Sequence, residues 1–113
     1  MITKDNAGDF QTFSRSDVIS MVDFYFASRI RGDEKWRDVL PPEEEWSSKM
    51  KRSVESHDKW EFLEYKNNGL KNDNERYVTV YFKISFNGKT DDGTDEVEVK
   101  KLGNEWMIKK VPS

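Results

Sequence analysis

The 113-residue chain contains no cysteine, one histidine, three prolines and no long apolar run. Without cysteine there are no disulfides, no thiol nucleophile and no cysteine-ligated zinc site. A lone histidine rules out any metal centre built on several imidazoles. No segment reaches the length and apolarity of a membrane span. Lys and Arg total 19 against 22 Asp and Glu, a net charge of -3, so the basic footprint that phosphate-backbone binding needs is missing and nucleic acid is not an expected partner. Residues Met1–Phe13 lack a basic stretch followed by an apolar one and read as a flexible lead ahead of a single domain over 14–113. Two locations fit this lead. The protein is cytoplasmic if the N-terminus is native, and periplasmic, secreted or lipid-anchored if a signal segment has been removed.

What the chain does have is aromatics, 13% of residues against 35% hydrophobic and 36% charged. A composition this charged approaches that of disordered chains, but each buried aromatic removes roughly 150–250 Å² from water, enough to build one core from few side chains. At this length one core is all the chain can form.

Val18, Ile19, Met21, Val22, Tyr25, Phe26 and Ile30 recur at three and four residues, predicting a first helix capped by Ser14 or Ser16 and stopped by Gly32. A second, short helix is predicted from Asp33 to Leu40 with Trp36, Val39 and Leu40 inward, ending at Pro41-Pro42. A third begins at those prolines, with Glu43–Glu45 at its positive end and Trp46, Met50 and Val54 forming a narrow buried stripe. From Trp60 the period changes to two. Trp60–Lys66 reads as a strand, Asn67–Glu75 as a polar loop anchored by Leu70, and the next strand puts Val78, Val80, Phe82, Ile84 and Phe86 on one face. Its turn falls at either Asn87-Gly88 or Asp92-Gly93. Both registers leave Val97 and Val99 on the core face, because they differ by an even number of residues. A turn at Gly103-Asn104 sets Val99 opposite Ile108 and Glu98 opposite Lys109, with Trp106 and Ile108 inward. The expected fold is α+β, three N-terminal helices on a four-stranded antiparallel meander.

Val18–Ile30 with Gly32-Asp33, the strand Val78–Phe82 and the closing Gly103-Asn104-Glu105-Trp106-Met107-Ile108 together resemble the nuclear transport factor 2-like and ketosteroid isomerase-like superfamily. The resemblance spans residues 14–111. It implies a curved, cone-shaped (cystatin-like) sheet around the first helix, a small apolar ligand in the cone, and a homodimer through the open sheet face. Isomerases, dehydratases, transport factors and uncharacterised bacterial domains share this scaffold, so it implies no one activity.

Val22, Tyr25, Phe26, Trp36, Phe82 and Trp106 are the candidates for a ligand pocket, although such residues most simply form core. Catalysis in the cone would fall to Tyr25, placed like the tyrosine that isomerases of the superfamily carry on their first helix, with Glu64 or His57; Asp23, expected to face solvent, is a further acid. His57 sits near the end of the third helix, where its cation would suit the helix dipole. The apolar inner face of the last three strands supplies no base, which favours a noncatalytic binding or interaction domain. Tyr77, Thr79, Tyr81 and Met107, joined by Val111, point outward and are the interface candidates, tyrosine being suited to protein contacts. Asp91-Asp92-Gly93-Thr94-Asp95 lacks the spacing of a calcium loop and reads as a solvated turn. Neither a cofactor nor a metal is expected.

Overall fold

A computed structural model describes residues 1–113. It is an α+β fold with two α-helices on one face of a five-stranded antiparallel meander that is neither closed nor strongly curled. The strands are β1 (Ile2–Thr3), β2 (Glu61–Lys71), β3 (Asn74–Phe86), β4 (Lys89–Leu102) and β5 (Glu105–Lys110), adjacent in chain order. The helices are α1 (Val18–Arg31) and α2 (Ser48–Lys59).

Two of the three expected helices change character. Asp33–Leu40 forms only a 3-10 turn over Lys35–Val39, at whose start the Ser28 hydroxyl accepts the Trp36 N–H at 2.9 Å and Asp33 accepts that of Lys35 at 3.0 Å. These side-chain bonds take donors that an α-helix leaves free in its first turn, and the prolines end the segment soon after. Trp36, Val39 and Leu40 are nonetheless buried. The third helix does not start at the prolines. Glu43–Glu45 is a separate 3-10 turn, the Trp46 indole N–H donates to the Pro41 carbonyl at 2.8 Å, and α2 begins after Ser47, whose hydroxyl accepts the Met50 N–H at 3.1 Å. In α1 the cap is neither expected serine. Those hydroxyls bond each other at 2.8 Å, while the Asp17 carboxylate accepts from Ile19 and Ser20. Gly32 closes α1 in the left-handed conformation, φ 84°, as its position predicts.

The fifth strand comes from the lead segment, where Ile2 pairs with Tyr65 and Thr3 with Glu64. Arg31 binds the same segment by donating to the carbonyls of Ala7 and Phe10 at 2.8 and 3.0 Å. The expected loop 67–75 is mostly strand. A two-residue turn with Asn72 and Asp73 both at positive φ joins β2 to β3, and bulges near Gly69 absorb the irregular stretch. Asn87-Gly88 forms the next turn, so Asp91–Asp95 lies within β4 instead of capping it. Val99 opposes Ile108 as predicted. A bulge then shifts Glu98 onto Lys110, one residue beyond the expected Lys109.

Twenty-six buried hydrophobic residues form one core between α1, α2 and the sheet. Phe26 is its centre, stacked on Tyr65 with ring centroids 4.5 Å apart and edge-on to Tyr25 at 5.2 Å.

Candidate functional site

Packing α1 against α2 brings Tyr25 and His57 together, 32 residues apart in sequence. The Tyr25 hydroxyl lies 3.0 Å from His57 Nδ1, and His57 Nε2 bonds the carbonyl of Pro112. A backbone carbonyl can only accept, so Nε2 carries the proton and Nδ1 accepts from the tyrosine. The tyrosine oxygen in turn accepts from Arg29 Nε at 3.2 Å, and Arg29 Nη1 donates to Asp58 at 2.6 Å. Proton direction is thereby fixed along the whole chain, and every strong hydrogen-bonding atom of Tyr25 and His57 has a partner.

Burial sets the electrostatics. Desolvation, helped by the nearby Arg29 cation, lowers the His57 pKa to about 3, and desolvation raises that of Tyr25 to about 12. His57 is therefore neutral, which replaces the expectation of a helix-end cation. Arg29 holds the only charge facing it from α1, its guanidinium 3.7 Å from the centre of the Trp36 ring and paired with Asp58. A recess of about 260 Å³ lies against this cluster, bordered by Arg29, Asp33, Trp36, His57, Asp58 and Trp60. Tyr25 lies wholly inside the core, and His57 is 1% exposed under the C-terminal strap.

The remaining acids named from sequence lie elsewhere. Glu64 is on the opposite side of the sheet, 3.8 Å from Lys83. Asp23 does not simply face solvent. It is half-buried and accepts the Tyr65 hydroxyl at 2.7 Å, with burial pushing its pKa up and the tyrosine bond opposing the rise. The inner face is less uniform than expected, since Asp95 opposes Val80 and Asp91 opposes Ile84 where β4 runs past the helices.

Of the pocket candidates, Val22, Tyr25 and Phe26 are entirely buried, and Trp36, Phe82 and Trp106 nearly so. Rings and aliphatic side chains occupy the space that a cone would leave to a ligand. Trp36, Phe82 and Trp106 each border a surface recess instead. Val111, expected outside, is fully buried, because the strap turns inward to place the Pro112 carbonyl on His57.

The outer sheet face carries Tyr77, Thr79, Tyr81 and Met107, all half-buried by their neighbours. The Tyr81 hydroxyl donates to Asp92 at 3.4 Å. Around them are the ion pairs Lys71–Glu96 at 2.7 Å, Lys83–Glu64 at 3.8 Å, and Arg76–Glu98 and Lys109–Glu98 at 3.4 Å.

The chain matches no family model, and no curated protein or solved structure matches it significantly. No helix is long and apolar enough to cross a membrane.

Sequence reasoning set Tyr25 with either Glu64 or His57 but missed Arg29. The signal was available, since Arg29 stands four residues after Tyr25 on one helical face. The role of the Pro112 carbonyl had no sequence signal, because any residue supplies one.

Proposed function

We propose that the protein is a noncatalytic interaction domain that pairs with a second copy of itself through the outer face of its sheet. The observation that carries this reading is the uncovered face itself. The helices shield one side of the sheet only, and the other presents Tyr77, Tyr81 and Met107 where charge alone offers no reason for them. That face holds both signs, with Glu64, Glu96 and Glu98 among Lys71, Lys83 and Lys109. Within one chain these acids and bases are paired with each other, which leaves the tyrosines and Met107 as the contact offered to a second copy. The two helices ahead of the four long strands, and the meander itself, support placing the scaffold with the nuclear transport factor 2-like superfamily, while the short strand before the helices and the open sheet depart from that family's cone. A small apolar ligand within the domain draws no support from the filled core.

The isomerase or dehydratase alternative rests on one observation, the Tyr25–His57 bond beside a recess. Against it, both groups are buried with their bonding capacity used internally, and Glu64 lies on the far face. Sedimentation velocity tests the preferred reading. The wild type sediments as a dimer and Tyr81→Glu as a folded monomer, with unchanged circular dichroism. A monomeric wild type refutes the dimer, as does a variant with an unchanged profile.

A further inference from the structure

Along β4 the charge changes sign. Asp91, Asp92, Asp95, Glu96 and Glu98 precede Val99, and Lys100 and Lys101 follow it. The meander then returns β5 antiparallel to β4, so Lys109 is brought back beside Lys100, and Arg76 at the start of β3 completes the group. These four cations border a depression of about 290 Å³ whose apolar side is Val99 and Trp106. Only Glu98 offers them a carboxylate, shared by Arg76 and Lys109 at 3.4 Å each. Lys100 and Lys101 take part in none of the eight ion pairs of the molecule. The Lys101 ammonium instead stands 5.6 Å from the centre of the Trp106 ring.

A chain of net charge -3 thus gathers a local positive excess at one end of its sheet. Like charges held together on paired strands repel, and a multiply charged anion removes that repulsion. We propose that this depression is a binding site for a polyphosphate group. Three lysine ammoniums supply point charges suited to phosphate oxygens, and the Arg76 guanidinium supplies a fork that contacts two of them. The number of cations favours several linked phosphates over a single carboxylate. The site's residues lie on one chain, and because Lys109 and Glu98 also belong to the face proposed above to pair, the titration below is run on the wild type and on the Tyr81→Glu variant alike.

The test is titration of isotope-labelled protein with sodium tripolyphosphate at low ionic strength, following the Trp106 indole N–H and the amides of Lys100 and Lys101 by NMR. Saturable shifts confined to this end of the sheet are expected, and added salt weakens them. The double variant K100Q/K101Q binds about tenfold more weakly or worse, since two of four charges are gone. The control K51Q/K59Q, which removes the same charge from exposed positions on α2, binds as the wild type does. Phosphatidylcholine vesicles with and without a phosphoinositide bisphosphate separate the two sources of such a group. Tripolyphosphate binding assigns a free oligophosphate, and binding to the phosphoinositide vesicles alone assigns a lipid headgroup. Absence of saturable binding in both arms overturns the proposal, as does equal weakening by the two double variants.

Discussion

Acidification should unfold this protein partly through one residue, His57. Its pKa is about 3 in the folded state against about 6.5 in an unfolded chain. Between those values the unfolded state binds a proton that the native state refuses, so stability rises with pH across this window and falls as pH drops through it. The contribution is complete above pH 6.5 and is lost progressively toward pH 3. From pH 7 to pH 5 the loss from this group is about 2 kcal/mol, a large share of the roughly 5–15 kcal/mol that stabilises a domain. Other groups titrate as well. Burial raises Asp23, which acts in the opposite sense as pH falls. Burial opposes but does not overcome the bonds from Arg31, Ser28 and the Lys35 amide that lower Asp33, so that group adds to the loss below the usual carboxylate range. A His57→Gln variant isolates the histidine, because glutamine can donate to the Pro112 carbonyl and accept from Tyr25 without titrating. Urea unfolding followed by tryptophan fluorescence at pH 7, 6 and 5 gives both stability curves. The wild type should lose about 2 kcal/mol more than the variant over that interval. Parallel curves would refute the buried neutral histidine and the hydrogen-bond direction built on it.

Two further substitutions probe the packing. Trp106→Ala removes a nearly buried indole from the sheet side of the core and should cost roughly 3–5 kcal/mol in chemical denaturation; a loss below 1 kcal/mol would mean the core face of β5 is wrongly assigned. Arg29→Lys keeps the charge but gives up the planar contact with Trp36 and the fork that reaches Tyr25, Asp58 and the Val54 carbonyl. A loss of about 1–3 kcal/mol in thermal or urea unfolding is expected, and an unaltered midpoint would reduce the cluster to a surface ion pair.

Sequence periodicity located the regular elements where side-chain alternation is strong. Val78–Phe86 and Val97–Val99 alternate between an apolar and a polar face, and the structure buries the apolar set except Phe86, which is 43% exposed at the end of β3. Where polar residues dominate, the pattern was silent. Asn67–Lys71 and Asn74–Arg76 are strand because the Asn72-Asp73 turn holds them in a long hairpin, not because their side chains alternate. The boundaries of the helical segments moved for a similar reason. Single polar side chains, those of Ser28, Asp33 and Ser47, decide which backbone donors are taken, and this depends on where each chain segment lies in space.

By itself the sequence determined the layer arrangement, the apolar face of the sheet, the positions of the Asn87-Gly88 and Gly103-Asn104 turns as candidates, and the absence of cysteine chemistry. These follow from local spacing and conformational preference, which act over a few residues. Tertiary structure alone decided that Ile2–Thr3 adds a strand, which hairpin register is used, and that Tyr25, Arg29, His57 and the Pro112 carbonyl form one buried chain of hydrogen bonds. It also decided that rings fill the centre of the domain and that lysines from β4 and β5 meet Arg76. Each of these depends on residues far apart in sequence, whose energies of burial and pairing exist only once the whole chain has folded around them.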